Sequence, residues 1–90
     1  MENFNDYKKR LLRNPKIKRE YDLLIPEYEA IKKVVRLRVK NNLTQKQLAE
    51  KINTKQSGVS RFERGFANPT ILFYSKVATA LGKKLVIDFK

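Results

Sequence analysis

The sequence predicts a small, mainly α-helical bundle with a helical extension at its N-terminal end and one short strand at its C-terminal end. Three observations carry this expectation. Apolar residues recur at helical spacing through most of the chain; capping and turn residues mark short helices; and only "KKLVIDFK" changes to a period of two. Ninety residues that are 41% hydrophobic, with four tyrosines and five phenylalanines, suffice for one modest core.

Residues 1–25, "MENFNDYKKRLLRNPKIKREYDLLI", alternate charged and apolar positions and are interrupted at Asn14 and Pro15. The residue before a proline is biased away from helix, so one short helix is expected before the interruption and another after it. Tyr7, Leu11 and Leu12 line one side of the first, and Ile17, Tyr21, Leu24 and Ile25 line the second. Such short stripes either cap a core or form an arm that docks on a partner; periodicity does not choose between the two.

Residues 26–90 form the second predicted part. Pro26 is expected to open a helix, because proline suits the first turn, and Glu27 and Glu29 place negative charge near the positive end of the dipole. Tyr28, Ile31, Val35 and Val39 recur on one face, and Asn41 and Asn42 end the helix. Thr44-Gln45-Lys46-Gln47 reads as a capping box opening a short helix that buries Leu48, Ala49 and Ile52. Asn53 suits a sharp turn, because asparagine tolerates the left-handed conformation. The next helix starts at Thr54 or Lys55, turns Val59 and Phe62 inward and stops at Gly65. Gly58 costs about 1 kcal/mol relative to alanine inside that helix, which implies close packing there. Asn68-Pro69 is expected to cap a further helix with apolar Leu72, Phe73, Val77, Ala80 and Leu81, closed by Gly82. In the tail, Leu85, Ile87 and Phe89 alternate with Val86 and Asp88, the pattern of a half-buried strand whose natural partner is a second copy or another protein.

Charge and composition narrow the function. Lys and Arg number 21 against nine Asp and Glu, a formal net charge of +12 that favours polyanions and raises their encounter rate. No cysteine and no histidine are present, which removes disulfides, thiolate chemistry, ordinary zinc sites and the commonest general base. No cofactor is expected. The Met1 end has no apolar signal core, and no apolar run approaches the roughly 18 residues of a membrane span, so a cytoplasmic protein without membrane contact is expected.

The capping box, the small Ala49, the turn at Asn53, the inward pair Val59 and Phe62, and Gly65 fall in the register of a helix-turn-helix. With its apolar positions turned inward, Lys55, Gln56, Ser57, Ser60 and Arg61 occupy the outer face and the exposed start of the second helix. Glutamine pairs bidentately with adenine, arginine with guanine, and serine permits close approach; these are base-reading groups. Gln45 at the start of the preceding helix is placed to hold a phosphate, with Lys46 and Arg64 adding positive charge beside it.

Residues 31–87 resemble the Xre class of lambdoid-repressor helix-turn-helix proteins, through "LTQKQLAEKINTKQSGVSRFERG" and "NPTILFYSKVATALGKKLVI". Within that class, "YKKRLLRNPKIKREYDLLIPEYEAIKKVVRLR" and "ALGKKLVIDF" resemble the leader and ending of HigA-type antitoxins. The resemblance implies a lambdoid-repressor-like bundle. It implies a protein that neutralises a RelE/HigB-like ribonuclease toxin and represses the shared promoter as a homodimer, or as a heterotetramer with the toxin. Tyr7, Leu11, Leu12, Ile17 and Tyr21 would then be the toxin-binding candidates. Dimeric symmetry places two reading helices in successive major grooves, so a palindromic double-stranded operator with half-sites about 10 bp apart, or a multiple of that turn, is expected.

Three other readings compete. A stand-alone Xre-type repressor would lack a toxin partner. A small basic ribonuclease needs a sheet of several strands, where this chain offers one strand and at least four helices. A pure interaction module with its basic face on an acidic protein would show no operator preference.

Overall fold

The computed structural model describes residues 3–89. Five helices follow one another: α1 (Phe4–Leu11), α2 (Pro15–Lys40), α3 (Gln45–Lys51), α4 (Gln56–Glu63) and α5 (Ile71–Ala80). The chain divides into two compact units, Met1–Ala30 and Ile31–Lys90.

In the first unit, Asn3 caps α1 by accepting from the Asp6 amide at 2.9 Å. A three-residue corner leads to α2, where the Asn14 side chain accepts from the Lys16 amide at 3.0 Å. The interruption at Asn14-Pro15 therefore separates two helices as expected. Leu11, Leu12, Ile17 and Tyr21 are half-buried, whereas Tyr7 is exposed. The Lys8 ammonium lies 4.7 Å from the centre of the Tyr21 ring, a cation–π contact between the two helices.

Pro26 does not open a helix; it sits inside α2. A start at Pro26 would make Ile25 the N-cap, and isoleucine has no side-chain oxygen to accept from the first amides. A break would leave orphan donors and acceptors on both sides of it, so the helix runs through the proline and loses one rung of its ladder instead.

The second unit holds the core. Ile31, Val34, Leu48, Ala49, Ile52, Val59, Phe62, Val77 and Leu81 are its buried apolar residues, and no polar or charged residue among those described is buried as a whole. The buried stripe of α2 is turned relative to expectation: Val34 joins Ile31, while Val39 is 59% exposed. Phe62 meets Phe73 and Tyr74 at ring-centroid distances of 5.0 and 5.6 Å in tilted and edge-on geometry, which ties α4 to α5. The helix end before α5 also differs from expectation. Thr70, not Asn68, is the cap, accepting from the Phe73 amide at 3.0 Å.

One device closes four helices. Asn42, Asn53, Gly65 and Gly82 adopt positive φ between 57° and 79°. After each, the next amide reaches back across the helix end: Leu43 to Arg38, Thr54 to Ala49, Phe66 to Arg61 and Lys83 to Ala78, at 2.8–3.1 Å. These are Schellman caps, which satisfy carbonyls that would otherwise lack partners.

The C-terminal strand expected from "KKLVIDFK" is absent; no strand occurs among the described residues. The alternation buries no residue fully: of the expected inward set Leu85 is half-buried, whereas Ile87 is 56% and Phe89 96% exposed. A strand exists through its ladder, and the described residues supply no second strand to pair with. Among the described residues, no helix is long and apolar enough to cross a membrane.

Candidate nucleic-acid interface

The start of α3 forms as the capping box requires. The Thr44 hydroxyl accepts from the Gln47 amide at 3.0 Å, and the Gln47 side-chain oxygen accepts from the Thr44 amide at 2.9 Å. Leu48, Ala49 and Ile52 then point into the core, and Ala49, only 1% exposed, gives α4 room to pack on α3. Asn53 at φ 57° turns the chain between the two helices.

On α4, Val59 and Phe62 face inward at 1% and 2% exposure, so the helix has one committed side. Lys55, Gln56, Ser57 and Arg61 are exposed, and Ser60 is half-buried at the edge of the packed face. Lys55 is the N-cap but contributes no side-chain hydrogen bond, so the positive end of α4 keeps its first amides free of a side-chain acceptor. Asn53, Thr54, Lys55, Ser57, Gly58 and Arg61 line one shallow groove there. Three residues predicted to read bases thus share a surface with Asn53 and Thr54, which sequence reasoning assigned only to the turn and the helix start.

Gly58 has a different role from the tight helix packing expected of it. A Cβ at this position would meet only the Thr54 hydroxyl, at 3.3 Å. Without a side chain, Gly58 lines the groove with backbone alone.

The residues predicted to hold phosphate are arranged in two ways. Lys46 is exposed on α3. Gln45 is half-buried, and its amide donates to Glu63 Oε1 at 3.0 Å, so its orientation is set from the far end of α4. Arg64, next along the chain, stacks over the Phe66 ring at 5.5 Å.

Glu63 is the centre of a network that sequence reasoning missed. Arg38 Nε donates to Glu63 Oε2 at 2.7 Å and its terminal nitrogen to Oε1 at 3.0 Å, a bidentate pair; a third donation goes to the Leu43 carbonyl at 2.8 Å. The side chains are 15% and 7% exposed. A signal was present: Glu63 is the only acidic residue between Glu50 and Asp88, in an otherwise basic stretch. The pair joins the end of α2, the turn into α3 and the end of α4, and so fixes the helix whose outer face is open.

One comparison with known proteins bears directly on this architecture. A helix-turn-helix family model matches residues 34–87, more than half of the chain. Among curated proteins, the chain is 40% identical over 73 residues to a putative multi-protein-binding factor 1 of Yarrowia lipolytica, and 36% identical over 73 residues to the multiprotein-bridging factor 1 of Candida glabrata. Each match takes in 78% of this chain and 48% of the relative, so the chain spans about half the length of the curated relatives it matches. No solved structure matches it. The Xre-like reading of the motif stands, whereas the narrower likeness to antitoxins finds no support in these matches. The chain belongs to the helix-turn-helix family.

Proposed function

We propose that the protein is a sequence-specific, double-stranded-DNA-binding regulator of transcription that acts without a toxin partner. One observation carries the reading: in a helix-turn-helix domain, α4 buries Val59 and Phe62 and leaves Lys55, Gln56, Ser57 and Arg61 on an open face beside an uncapped helix start. With α4 in the major groove, Gln56 and Arg61 supply bidentate pairing to adenine and guanine, while Lys55, Ser57 and Ser60 complete the contact. Gln45, Lys46 and Arg64 take phosphates and set the register. A homodimer on a palindromic operator is the arrangement that gives such a short reading helix enough contact. No catalytic step and no cofactor enter this reading.

The antitoxin alternative, with Tyr7, Leu11, Leu12, Ile17 and Tyr21 on a RelE/HigB-like toxin, rests on the likeness of leader and tail alone. The relatives are named for protein binding and bridging. Those names support a protein partner for a DNA-bound regulator more than a ribonuclease to be neutralised.

The test is selection from a random duplex library, followed by fluorescence anisotropy of wild type and Gln56→Ala/Arg61→Ala on the selected duplex at fixed salt. The expected result is an enriched motif that wild type prefers over unrelated DNA and the double variant does not. A library that yields no motif, or a double variant that discriminates as well as wild type, refutes the reading.

A further inference from the structure

The first unit carries a concentration of charge that helix-turn-helix chemistry does not use. Between residues 8 and 19, Lys8, Lys9, Arg10, Arg13, Lys16, Lys18 and Arg19 occur without a single Asp or Glu. Three of them have local partners: Lys18 pairs with Asp22 at 3.1 Å, Lys8 lies over the Tyr21 ring and Arg10 over the Tyr7 ring. Lys9, Arg13, Lys16 and Arg19 are exposed, with no side-chain ion pair, hydrogen bond or ring contact among the described residues. Lys16 and Arg19 stand three residues apart on one face of α2, where like charges repel. The first turn of α2 contains no acidic residue, so these cations also gather at the positive end of a helix dipole. Apart from the Lys18–Asp22 pair and the negative end of α1, this corner concentrates positive charge.

We propose that the corner between α1 and α2 is a second, sequence-independent contact for the phosphate backbone of double-stranded DNA, made by Lys9, Arg13, Lys16 and Arg19. This rests on the DNA-binding reading above and adds a surface to it. Cations spread over the end of one helix, a corner and the start of the next match a row of repeating charges better than a single small anion. A duplex held by α4 also presents its flanking phosphates to the same chain, so the second contact is intramolecular and draws on a high effective concentration. Such a contact strengthens binding to all sequences alike and leaves base preference to α4.

The experiment compares the full chain with Lys9→Gln/Arg13→Gln/Lys16→Gln/Arg19→Gln on a short mixed-sequence duplex and on the duplex selected for α4, as salt is raised from about 50 to 200 mM. Each lost phosphate contact reduces the slope of log affinity against log salt by about 0.9. Loss of all four lowers it by about 3.6, so the affinity gap between wild type and variant narrows on the order of 100-fold over that range. The ratio of selected to mixed-sequence affinity should stay as in wild type, and the charge-preserving Arg13→Lys/Arg19→Lys should keep the wild-type slope. Far-ultraviolet circular dichroism confirms folding of each variant. An unchanged slope in the folded quadruple variant overturns the proposal while leaving α4 recognition intact. So does wild-type capture on phosphatidylserine vesicles that the quadruple variant loses without any change in DNA slope, which would make the corner a membrane contact. Absence of duplex binding by wild type overturns this proposal and the DNA reading together.

Discussion

Replacing Glu63 by glutamine should destabilise the protein far more than an isosteric change at the surface would. The substitution leaves the Arg38 guanidinium, 15% exposed, without its counter-charge, and weakens the hold on the Gln45 amide. Removing one partner of a buried ion pair costs about 3–5 kcal/mol, because the remaining charge stays desolvated. The lower end applies here, since Arg38 keeps its bond to the Leu43 carbonyl and some access to water. A loss of about 3 kcal/mol in a domain of this size lowers Tm by roughly 12–24 °C. Arg38→Met should cost about as much by stranding the carboxylate. The double variant Arg38→Met/Glu63→Leu removes both charges and places apolar groups of similar volume in the gap, so its loss should stay within about 1 kcal/mol of wild type. Thermal denaturation followed at 222 nm gives all three values, and Glu63→Leu measured alone closes the double-mutant cycle with Arg38→Met. If either single variant loses less than about 1 kcal/mol, or if the double variant is worse than both singles, the pair is an incidental surface contact and the assigned fixing of α4 is wrong.

Thr44→Ala removes one half of the capping box and should cost about 1 kcal/mol, read as a Tm lower by roughly 4–8 °C. Phe62→Ala deletes the ring that contacts Phe73 and Tyr74 and should cost about 3–5 kcal/mol in a urea titration. Arg61→Ala should weaken the selected duplex by about 1–3 kcal/mol and relax preference at one base, whereas Lys46→Ala should weaken all duplexes alike and reduce the salt slope by about 1. Anisotropy on selected and single-substituted duplexes separates these two outcomes.

What could be read from the sequence was what local chemistry decides. The box at Thr44 and Gln47, the turn at Asn53, the stop at Gly65 and the inward set Leu48, Ala49, Ile52, Val59 and Phe62 depend on neighbours within about a turn, and the structure has all of them. The outer face of α4 followed as the remainder. The failures were of two kinds. At Pro26, at Asn68 and in the tail, a local preference is overruled by its surroundings. Proline suits a first turn only where the preceding residue can cap, and alternation makes a strand only where a second strand exists. Arg38 and Glu63, by contrast, are 25 residues apart, and no periodicity links them. Their meeting depends on how α2 and α4 cross, which becomes visible only in three dimensions.

The Schellman caps have a consequence for how this domain can change over time. The bounds of α3 and α4 are set by Thr44, Asn53, Gly65 and the backbone bonds around them, and their packing by inward residues, none of which lies on the open face of α4. Gln56, Ser57 and Arg61 therefore belong to a separable layer. Exchange there disturbs neither the ends of the helix nor its seat, so on the proposed reading a lineage could drift from one target to another through single substitutions, each compatible with a folded intermediate.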